Sequence, residues 1–288
     1  MKCLVIGAEG QLGRALCAAG PAEAQVLAFP KAACNLTDHG SVKRCLEKTR
    51  PDIVFNAAAY TAVDAAESDA EAAEMVNAMG VENLARETNR VQARLVHVST
   101  DFVFDGETSR PYRPHDKPNP LNVYGRTKLE GELAALRWDS QALIVRTGWV
   151  YGEIGRNFVH TMLRLMRERH EVRVVADQFG TPTYARNLAR ALWTLALQSR
   201  SGLFHYSDSG VASWYDFAVA IQEEALAASL LTRKSAVIPI ATIDYPTPAR
   251  RPRFSVLDKS ETWAALGQTG EHWRVGLREM LGRLNTNA

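Results

Sequence analysis

The sequence lacks long apolar runs and an excess of charge of either sign. Its 34 basic and 32 acidic residues leave a net charge of +2, so no overall field attracts a nucleic acid polymer or a membrane surface. The apolar run from Cys3 to Ile6 is too short for a signal peptide or a membrane span. We therefore expect a cytoplasmic protein with neither kind of partner.

Cysteine is scarce, and the spacings typical of metal sites are missing. The four cysteines (Cys3, Cys17, Cys34 and Cys45) show no Cys-x-x-Cys spacing. Reduced, buried thiols are therefore favoured over disulfides or a zinc site. The seven histidines include no His-x-x-x-His pair, so we expect no metal.

Short apolar runs alternate with helical patterns through the first half of the chain. The predicted strands are residues 2–6, 26–29, 53–55, 95–98 and 143–145, and the predicted helices are residues 11–19, 41–48, 66–88 and 123–137. Such alternation is typical of a parallel sheet covered by helices on both faces. The predicted fold class is α/β, a Rossmann-like doubly wound parallel sheet, in which ligands bind at the carboxyl ends of the strands.

The pattern loosens after about residue 150. Helical stretches near residues 157–169, 184–197, 214–228 and 273–284 are joined by irregular, proline-bearing loops. We predict an NAD(P)-binding domain over residues 1–150. Residues 151–288 are expected to form mainly a smaller, mixed C-terminal substrate lobe, with part of this chain returning to the sheet.

A glycine-rich turn follows the first predicted strand and opens the first predicted helix. Gly7, Gly10 and Gly13 are spaced G-x-x-G-x-x-G, one residue longer than the commonest dinucleotide fingerprint. Glycine allows backbone N–H groups to approach a pyrophosphate, which then lies at the positive end of the helix. This context favours a dinucleotide site over a plain glycine-rich turn.

Residues at the ends of the second and third predicted strands would contact the adenosine part of such a cofactor. The second strand ends at Lys31 without the acidic residue that would bind an unphosphorylated ribose. Arg14 and Lys31 suit a 2′-phosphate, although both also fit ordinary surface charges. We hypothesise that NADPH is preferred, with NADH as the alternative. The small residues between Asn56 and Thr61 suit an adenine and ribose, or else tight helix–sheet packing.

Hydroxyl, phenol and amine groups follow the fourth strand in an order suited to carbonyl reduction. Ser99-Thr100-Asp101 places a hydroxyl where it can bind a carbonyl and a phenol together. A Ser/Thr helix cap or turn is the alternative, but residues 102–104 look extended and argue against it. Tyr124 and Lys128 lie one turn apart on the next predicted helix. An ammonium there would lower the phenol's pKa from about 10, which assists proton transfer.

The glycine turn, Ser99-Thr100 and the Tyr124–Lys128 pair, in this order, resemble the extended, nucleotide-sugar branch of the short-chain dehydrogenase/reductases. Longer segments resemble the dTDP-4-dehydrorhamnose reductase family, namely residues 56–64, 99–104, 120–125, 146–151, 177–183 and 245–252. The resemblance implies NAD(P)H-dependent reduction of the 4-keto group of dTDP-6-deoxy-L-lyxo-4-hexulose. The implied product is dTDP-L-rhamnose, a donor for bacterial surface polysaccharides such as the O antigen of lipopolysaccharide.

The resemblance also implies roles for residues at matching positions. Tyr124 is the expected proton donor, Lys128 its tuning cation, and Thr100 the group that orients the carbonyl. The expected cofactor-binding residues are Gly7, Gly10, Gln11, Leu12, Gly13, Asn35, Leu36, Ala57, Ala58, Ala59, Tyr60, Thr61, Val98, Tyr124 and Lys128. The expected substrate-binding residues are Thr100, Asp101, Trp149, Arg250 and Arg251.

Some of these assignments have structural alternatives. Many members of the family have Asp where this chain has Asn35. An indole after a strand, as at Trp149, often serves only to pack a lobe. Arg250 and Arg251 suit the dTDP diphosphate through charge-assisted hydrogen bonds, and suit an interlobe salt bridge equally.

The sequence argues against Mg²⁺. Some members hold this ion with acidic residues, one of them shortly after the glycine turn, where this chain has Arg14 and Ala15. Residues 284–288 also lack acidic side chains, and hard cations require oxygen ligands. A metal-bridged dimer is therefore not expected, whereas another kind of homodimer stays open.

Two other functions stay open as well. One is a non-catalytic, NADP-binding regulatory subunit, which would have no need of Thr100, Tyr124 and Lys128 together. The other is a different nucleotide-sugar reductase or an epimerase of the same superfamily. Trp149 and residues 246–252 favour the rhamnose pathway through resemblance alone.

Overall fold

The computed structural model describes residues 1–286. The strands are β1 (Lys2–Ile6), β2 (Gln25–Phe29), β3 (Ile53–Asn56), β4 (Arg94–Thr100), β5 (Leu143–Thr147), β6 (Val150–Tyr151), β7 (Glu171–Val175), β8 (Phe179–Gly180), β9 (Thr183–Tyr184), β10 (Gly202–His205), β11 (Ala212–Ser213) and β12 (Ala236–Ile240). The helices are α1 (Gln11–Ala19), α2 (His39–Thr49), α3 (Val63–Ala66), α4 (Ala70–Glu74), α5 (Gly80–Arg90), α6 (Val123–Trp138), α7 (Phe158–Glu168), α8 (Ala185–Leu197), α9 (Trp214–Ala227), α10 (Ser260–Leu266) and α11 (Trp273–Thr286). Residues Met75–Met79 form a π-helix, and Asp101–Val103 and Thr242–Asp244 form 3₁₀ turns.

Six parallel strands form the central sheet in the order β10-β5-β4-β3-β1-β2. All five strands predicted for the first half are present, each within a residue or two of its predicted ends, because buried parallel strands read as short continuous apolar runs. From β1 the strand order runs one way to β2 and the other way through β3. The crevice between β1 and β3 is therefore the point where strand order reverses and ligands commonly bind.

Helices cover both faces of the sheet, which confirms the doubly wound α/β prediction. On one face α1 and α8 bury Leu16, Leu188 and Leu192 against Val5 and Val96. The other face packs α2, α5 and α6 through a second apolar cluster. Since α8 and β10 come from the second half of the chain, residues after 150 do return to the sheet.

The predicted helix over residues 66–88 is wrong as a continuous element. It is divided into α3, α4, the π-helix and α5. The first break falls at Ser68, whose hydroxyl donates to the Ala65 carbonyl and so competes with helical hydrogen bonding. The π-helix holds Asn77, whose side chain bonds outside the helix, and such π segments often occur at functional sites.

A separate apolar core lies between α7, α9, α11 and strands β7 and β12, and we call this region the C-terminal lobe. Its centre contains Tyr151, Tyr184, Phe217, Trp273 and Leu277. β7 and β12 form a two-stranded parallel ladder, separate from the main sheet. The lobe therefore has its own packing.

All four cysteines are free thiols; three are buried and Cys17 is partly exposed.

Within the described chain, the longest and most apolar helices still fall short of what a membrane crossing requires.

Candidate active site

Two adjoining cavities lie at the carboxyl ends of the central strands. The larger, of about 630 Å³, is lined by residues that include Gly10, Thr100, Tyr124, Lys128 and Trp149. The second, of about 350 Å³, lies beside β1, β2 and β3. Glu9, Gly10 and residues 57–59 line both, so the two form one elongated cleft.

The glycine turn closes one wall of this cleft. Gly7 has φ +77°, a left-handed conformation that favours glycine. A Cβ on Gly13 would lie 2.1 Å from the Gly7 carbonyl oxygen, so the turn requires glycine there. Gly10 precedes α1 with no side-chain cap, and Gln11 and Leu12 begin the helix. The first N–H groups of α1 therefore point to a region suited to a pyrophosphate.

The smaller cavity is suited to an adenosine. Its lining includes Lys31, Asn35, Leu36, Ala58 and Tyr60. Arg14 is not among the lining residues; it is exposed, and its Nε donates to the Glu9 carbonyl at 3.2 Å. The cavity thus has one basic residue of the two that the sequence indicated for a 2′-phosphate.

Two buried asparagines hold the loop under this cavity. Asn56 accepts a hydrogen bond from the Ala58 N–H at 3.1 Å. Asn77 accepts from the Tyr60 N–H at 2.8 Å and donates to both the Tyr60 carbonyl and the Thr127 hydroxyl. Sequence analysis missed Asn77, although a polar residue in the middle of an apolar helix pattern was the available signal.

The structure brings Thr100, Tyr124 and Lys128 together in the larger cavity. Thr100 shares a hydrogen bond with Tyr124, and its hydroxyl donates to the Asp101 carboxylate at 3.1 Å. Lys128 is buried, and its Nζ donates to the Val98 carbonyl at 2.7 Å. Burial lowers the pKa of Lys128 to about 8, against the charge of Glu132, which raises it. A phenol, a hydroxyl and an amine therefore meet at the end of β4.

The Tyr124 phenol is shifted in the direction opposite to our expectation. Burial raises the pKa of Tyr124 to about 12, the hydrogen bond with Thr100 lowers it, and the charge of Asp101 raises it further. Lys128 is not among the groups that shift it. Asp101 is itself buried, and burial raises its pKa to about 6 despite hydrogen bonds from Ser255 and Thr100. The protein alone therefore favours the protonated phenol, the form that a proton donor needs.

The expectation that residues 102–104 are extended is wrong for residues 102 and 103, whereas Phe104 is extended. Asp101–Val103 form a 3₁₀ turn, and Thr100 is its N-cap, accepting from the Phe102 N–H at 3.2 Å. The alternative of a Ser/Thr cap or turn is thus correct. The same hydroxyl that caps the turn also bonds Asp101 and Tyr124, so the turn holds it in position.

Trp149 lines the larger cavity in an unusual conformation. Its φ of +51° lies in the left-handed region, which is strained for an aromatic residue. Its ring stacks on Trp214 with centroids 3.5 Å apart and planes at 3°. A Cβ on Gly180 would lie 2.5 Å from the same indole. Sequence analysis missed Trp214 and Gly180, which approach Trp149 only in the folded chain.

The neighbouring arginines Arg250 and Arg251 differ in their contacts. Arg251 forms a two-pronged salt bridge with Asp64, with Nη2 2.7 Å from Oδ2 and Nη1 3.0 Å from Oδ1. For Arg251 the structure thus shows a salt bridge, one of the two alternatives that the sequence left open. Arg250 is exposed, and it lines a third cavity, of about 640 Å³, together with Arg251 and Arg253. Sequence analysis missed Arg253.

Two buried hydroxyls at the sheet edge have no protein partner. Ser99 Oγ and Thr147 Oγ1 both belong to the lining of the larger cavity and make no hydrogen bond. Val98 lines the same cavity. Unpaired buried hydroxyls are costly, so this edge is suited to a polar ligand.

Within residues 1–286, no three His, Cys, Asp or Glu side chains are grouped so that they could hold a metal ion. Asn287 and Ala288, part of the C-terminal segment that we compared with metal-binding relatives, lie outside the described residues.

Known proteins resemble this chain along its whole length. Residues 1–286 match the family described as the RmlD substrate binding domain. A relative from Burkholderia thailandensis, named dTDP-4-dehydrorhamnose reductase, is 44% identical over 98% of this chain and 100% of its own. A Clostridium acetobutylicum structure of that name has a TM-score of 0.93 at 37% identity, covering 99% of both chains. One from Bacillus anthracis, solved in complex with NADP, has a TM-score of 0.92 at 36% identity, covering 97% of this chain and 98% of its own.

Proposed function

This chain belongs to the family of the RmlD substrate binding domain, and we propose that it reduces dTDP-6-deoxy-L-lyxo-4-hexulose to dTDP-L-rhamnose with NADPH. The observation that carries the proposal is the meeting of Thr100, Tyr124 and Lys128 in a cleft that continues to the glycine turn. Relatives of the same name cover the full chain. Reduction of a carbonyl needs a hydride source and a proton donor, and the cleft suits both.

The cofactor fits the residues present. The uncapped start of α1 suits its pyrophosphate, and the cavity between Lys31 and Tyr60 suits its adenosine. Lys128 would hold the nicotinamide ribose, beside the unpaired Ser99 and Thr147 hydroxyls. When bound, the reduced nicotinamide supplies the hydride.

The chain's own residues supply position and a proton. Tyr124 donates its phenol proton to the oxygen of the 4-keto group as negative charge develops there. Thr100 orients this oxygen and stabilises its charge through the hydroxyl held by the 3₁₀ turn. Lys128 stabilises the phenolate that remains. The cation and the developing charge thus lie in a site largely removed from water, where their attraction is strong.

The substrate's sugar lies against Asp101 and Trp149 in this proposal, and its diphosphate extends towards Arg250. Residues 1–150 mainly bind the cofactor, and residues 151–288 mainly bind the sugar nucleotide. Mg²⁺ has no assigned role. The protein acts in the cytoplasm, and a homodimer is compatible with the proposal.

A non-catalytic NADP-binding subunit is disfavoured, because such a protein needs no proton donor. Another nucleotide-sugar reductase or an epimerase would place a different sugar in the same cleft. The substrate therefore has to be tested directly.

The test supplies NADPH and enzymatically prepared dTDP-6-deoxy-L-lyxo-4-hexulose, follows absorbance at the reduced-nicotinamide band, and identifies the product. We expect oxidation of NADPH with formation of dTDP-L-rhamnose. No oxidation would reject the reductase, and a different product would indicate another enzyme of the superfamily. Parallel assays with NADH compare the two cofactors, and faster turnover with NADH would reject the preference for NADPH.

A further inference from the structure

A buried histidine connects the cofactor loop to Lys128. His97 lies on β4 and is 0% exposed. Its Nδ1 is 3.1 Å from Asn56 Nδ2, and its Nε2 is 3.4 Å from Lys128 Nζ. Asn56 also bonds the N–H of Ala58, which lines both parts of the cleft. One chain of contacts thus runs from the loop under the cofactor cavity to Lys128.

The directions of these hydrogen bonds follow from one fixed donor. The Ala58 backbone N–H can only donate, so the Asn56 oxygen must face it. The Asn56 NH₂ group therefore faces His97 and donates to Nδ1. Burial and the charge of Lys128 hold the pKa of His97 well below its ordinary value, so the ring is neutral. A neutral ring that accepts at Nδ1 carries its hydrogen on Nε2.

This hydrogen points at the Lys128 nitrogen. An ammonium has three donors and no acceptor, so it would meet the Nε2–H donor to donor. A neutral amine can accept from Nε2–H and still donate to the Val98 carbonyl at 2.7 Å. The network therefore favours the amine.

Other charged or titratable groups lie on α6, β5 and the end of β4 near Lys128, and the charge of Glu132 raises the pKa of this lysine. Tyr124 is one turn before it on α6, and Glu132 is one turn after it. Glu132 is paired with the buried Arg146 of β5 at 2.6 Å, which offsets much of the carboxylate's charge. Asp101, at the end of β4, lies beside Tyr124.

We propose that Asn56 and His97 are positioning residues for the reduction. They hold Lys128 at the end of β4 and, through the direction of their hydrogen bonds, disfavour its ammonium relative to the amine, so that the cation that assists Tyr124 forms only at lower pH. They touch neither substrate nor cofactor and act through Lys128. This proposal rests on the proposed function, because it concerns the lysine that assists Tyr124 in the reduction. Asn56 and His97 then set the pH at which the cation beside Tyr124 appears.

The first test is spectroscopic and uses the cofactor-free protein. Imidazole ¹⁵N shifts report which ring nitrogen carries hydrogen, and His97→Phe identifies the His97 signals. We expect Nε2–H in the wild type. In Asn56→Asp the carboxylate still accepts from Ala58 N–H but now accepts from Nδ1–H as well, so Nε2 becomes an acceptor. An Nδ1–H or doubly protonated ring in the wild type, or the same tautomer in both proteins, overturns the proposal.

The second test titrates Lys128 directly, with ¹³C-labelled lysine and Lys128→Arg for assignment. We expect its pKa to lie below the ordinary value of about 10.4 and to rise by about one unit or more in Asn56→Asp, where Nε2 can accept from the ammonium. His205→Phe is the matched control, because it removes another fully buried histidine, on β10, whose Nδ1 contacts Tyr112. An unchanged Lys128 pKa in Asn56→Asp, or an equal rise in the control, overturns the proposal.

Turnover gives a third readout. We expect the basic limb of the kcat/KM profile to move up by about one pH unit in Asn56→Asp and to stay in place in His205→Phe. An unmoved limb in Asn56→Asp overturns the link to catalysis. If the wild type reduces no dTDP-4-keto sugar, the proposed function fails, while the two spectroscopic tests still decide the hydrogen-bond directions.

Discussion

The central sheet and the C-terminal lobe hold their site residues in different ways. In the sheet, Thr100 ends β4 and pairs in register with Thr147 of β5, so backbone hydrogen bonds set its position. Across the cleft, Trp149 depends on Trp214, which is far away in the sequence. Arg251 similarly depends on Asp64.

Because the two regions hold their residues differently, substitutions in them should change different kinetic constants. In the proposed function, residues at the strand ends act on the chemistry and the cofactor, and the backbone hydrogen bonds of the sheet support them. Residues facing the lobe act on the substrate in that proposal, and side-chain contacts with distant parts of the chain support them. Substitutions at the sheet should therefore change kcat or cofactor binding, and those facing the lobe should mainly change KM for the sugar nucleotide.

The largest expected effect is that of Tyr124→Phe. Loss of the phenol proton should lower kcat by roughly two to four powers of ten, the usual range for a positioned general acid. NADPH affinity, measured by fluorescence titration, should fall far less than kcat, because the many other cofactor-binding residues are unchanged. Tyr215→Phe makes the same change in the packing of the lobe and should leave kcat near the wild-type value. Equal turnover in Tyr124→Phe and wild type would reject the assigned acid.

Gly13→Ala should come next. Its Cβ would lie 2.1 Å from the Gly7 carbonyl oxygen, so the turn must move and affinity for NADPH should fall by about ten-fold or more, about 1.4 kcal/mol. The control is Gly282→Ala in α11, where a Cβ meets no atom within 4 Å. Isothermal titration with NADPH checks both variants. Tight binding by Gly13→Ala would show that the turn tolerates a side chain.

Asp208, where α8 meets the lobe, should make stability depend on pH. Burial raises its pKa to about 7, above the ordinary 3.8, so the folded protein binds its proton more tightly. The contribution of Asp208 to the free energy of unfolding is therefore complete below about pH 4. It is lost as pH rises to about 7, a change of about a few kcal/mol. Denaturant unfolding of Asp208→Asn should show a flatter profile over this interval.

Glu224 of α9 is the control, because its pKa is shifted in the opposite direction to that of Asp208. Hydrogen bonds from Arg278 and Arg274 lower its pKa to about 2, below the ordinary 4.5. Its stabilisation is present above about pH 4.5 and is lost as pH falls to about 2. Glu224→Gln should thus alter the profile only at acid pH. A change between pH 5 and 7 in Glu224→Gln, or none in Asp208→Asn, contradicts this account.

Trp214→Ala tests the lobe side of the comparison. Without its stacking partner, Trp149 should leave its left-handed conformation, and KM for the sugar nucleotide should rise about ten-fold, about 1.4 kcal/mol, while kcat changes little. Trp214→Phe should recover most of the affinity. Loss of exciton coupling between the two indoles in circular dichroism should accompany the rise in KM. A fall in kcat with unchanged KM would remove the distinction between the two regions.

The smallest effect is expected for Arg251 and Asp64. Their side chains are 23% and 41% exposed, so water screens the pair. A double-mutant cycle of Arg251→Ala and Asp64→Ala, measured by denaturant unfolding, should give a coupling energy below about 1 kcal/mol. A much larger coupling would show that the lobe is held as firmly as the sheet.

Much of the fold and part of the site were predictable because their signals are local. The strands around Val5, Val54 and Val145 are short apolar runs, and the glycine turn and the Tyr124–Lys128 pair have fixed spacings. The break at Ser68 was missed because a side chain competed with the helix, which helical periodicity does not reveal. The turn after Thr100 was missed because a cap stabilises it against an apolar pattern that looks extended.

The sequence by itself determined the α/β class, the order of the strands along the chain, and the types of group at their ends. Those features depend on the pattern of apolar residues and on spacings of a few positions. Only the tertiary structure decided that Trp214 supports Trp149, that Arg251 pairs with Asp64, and that His97 lies between Asn56 and Lys128. Such contacts join residues that are far apart in the chain. The burial that shifts the pKa values of His97 and Lys128 also exists only once the elements around the sheet have packed.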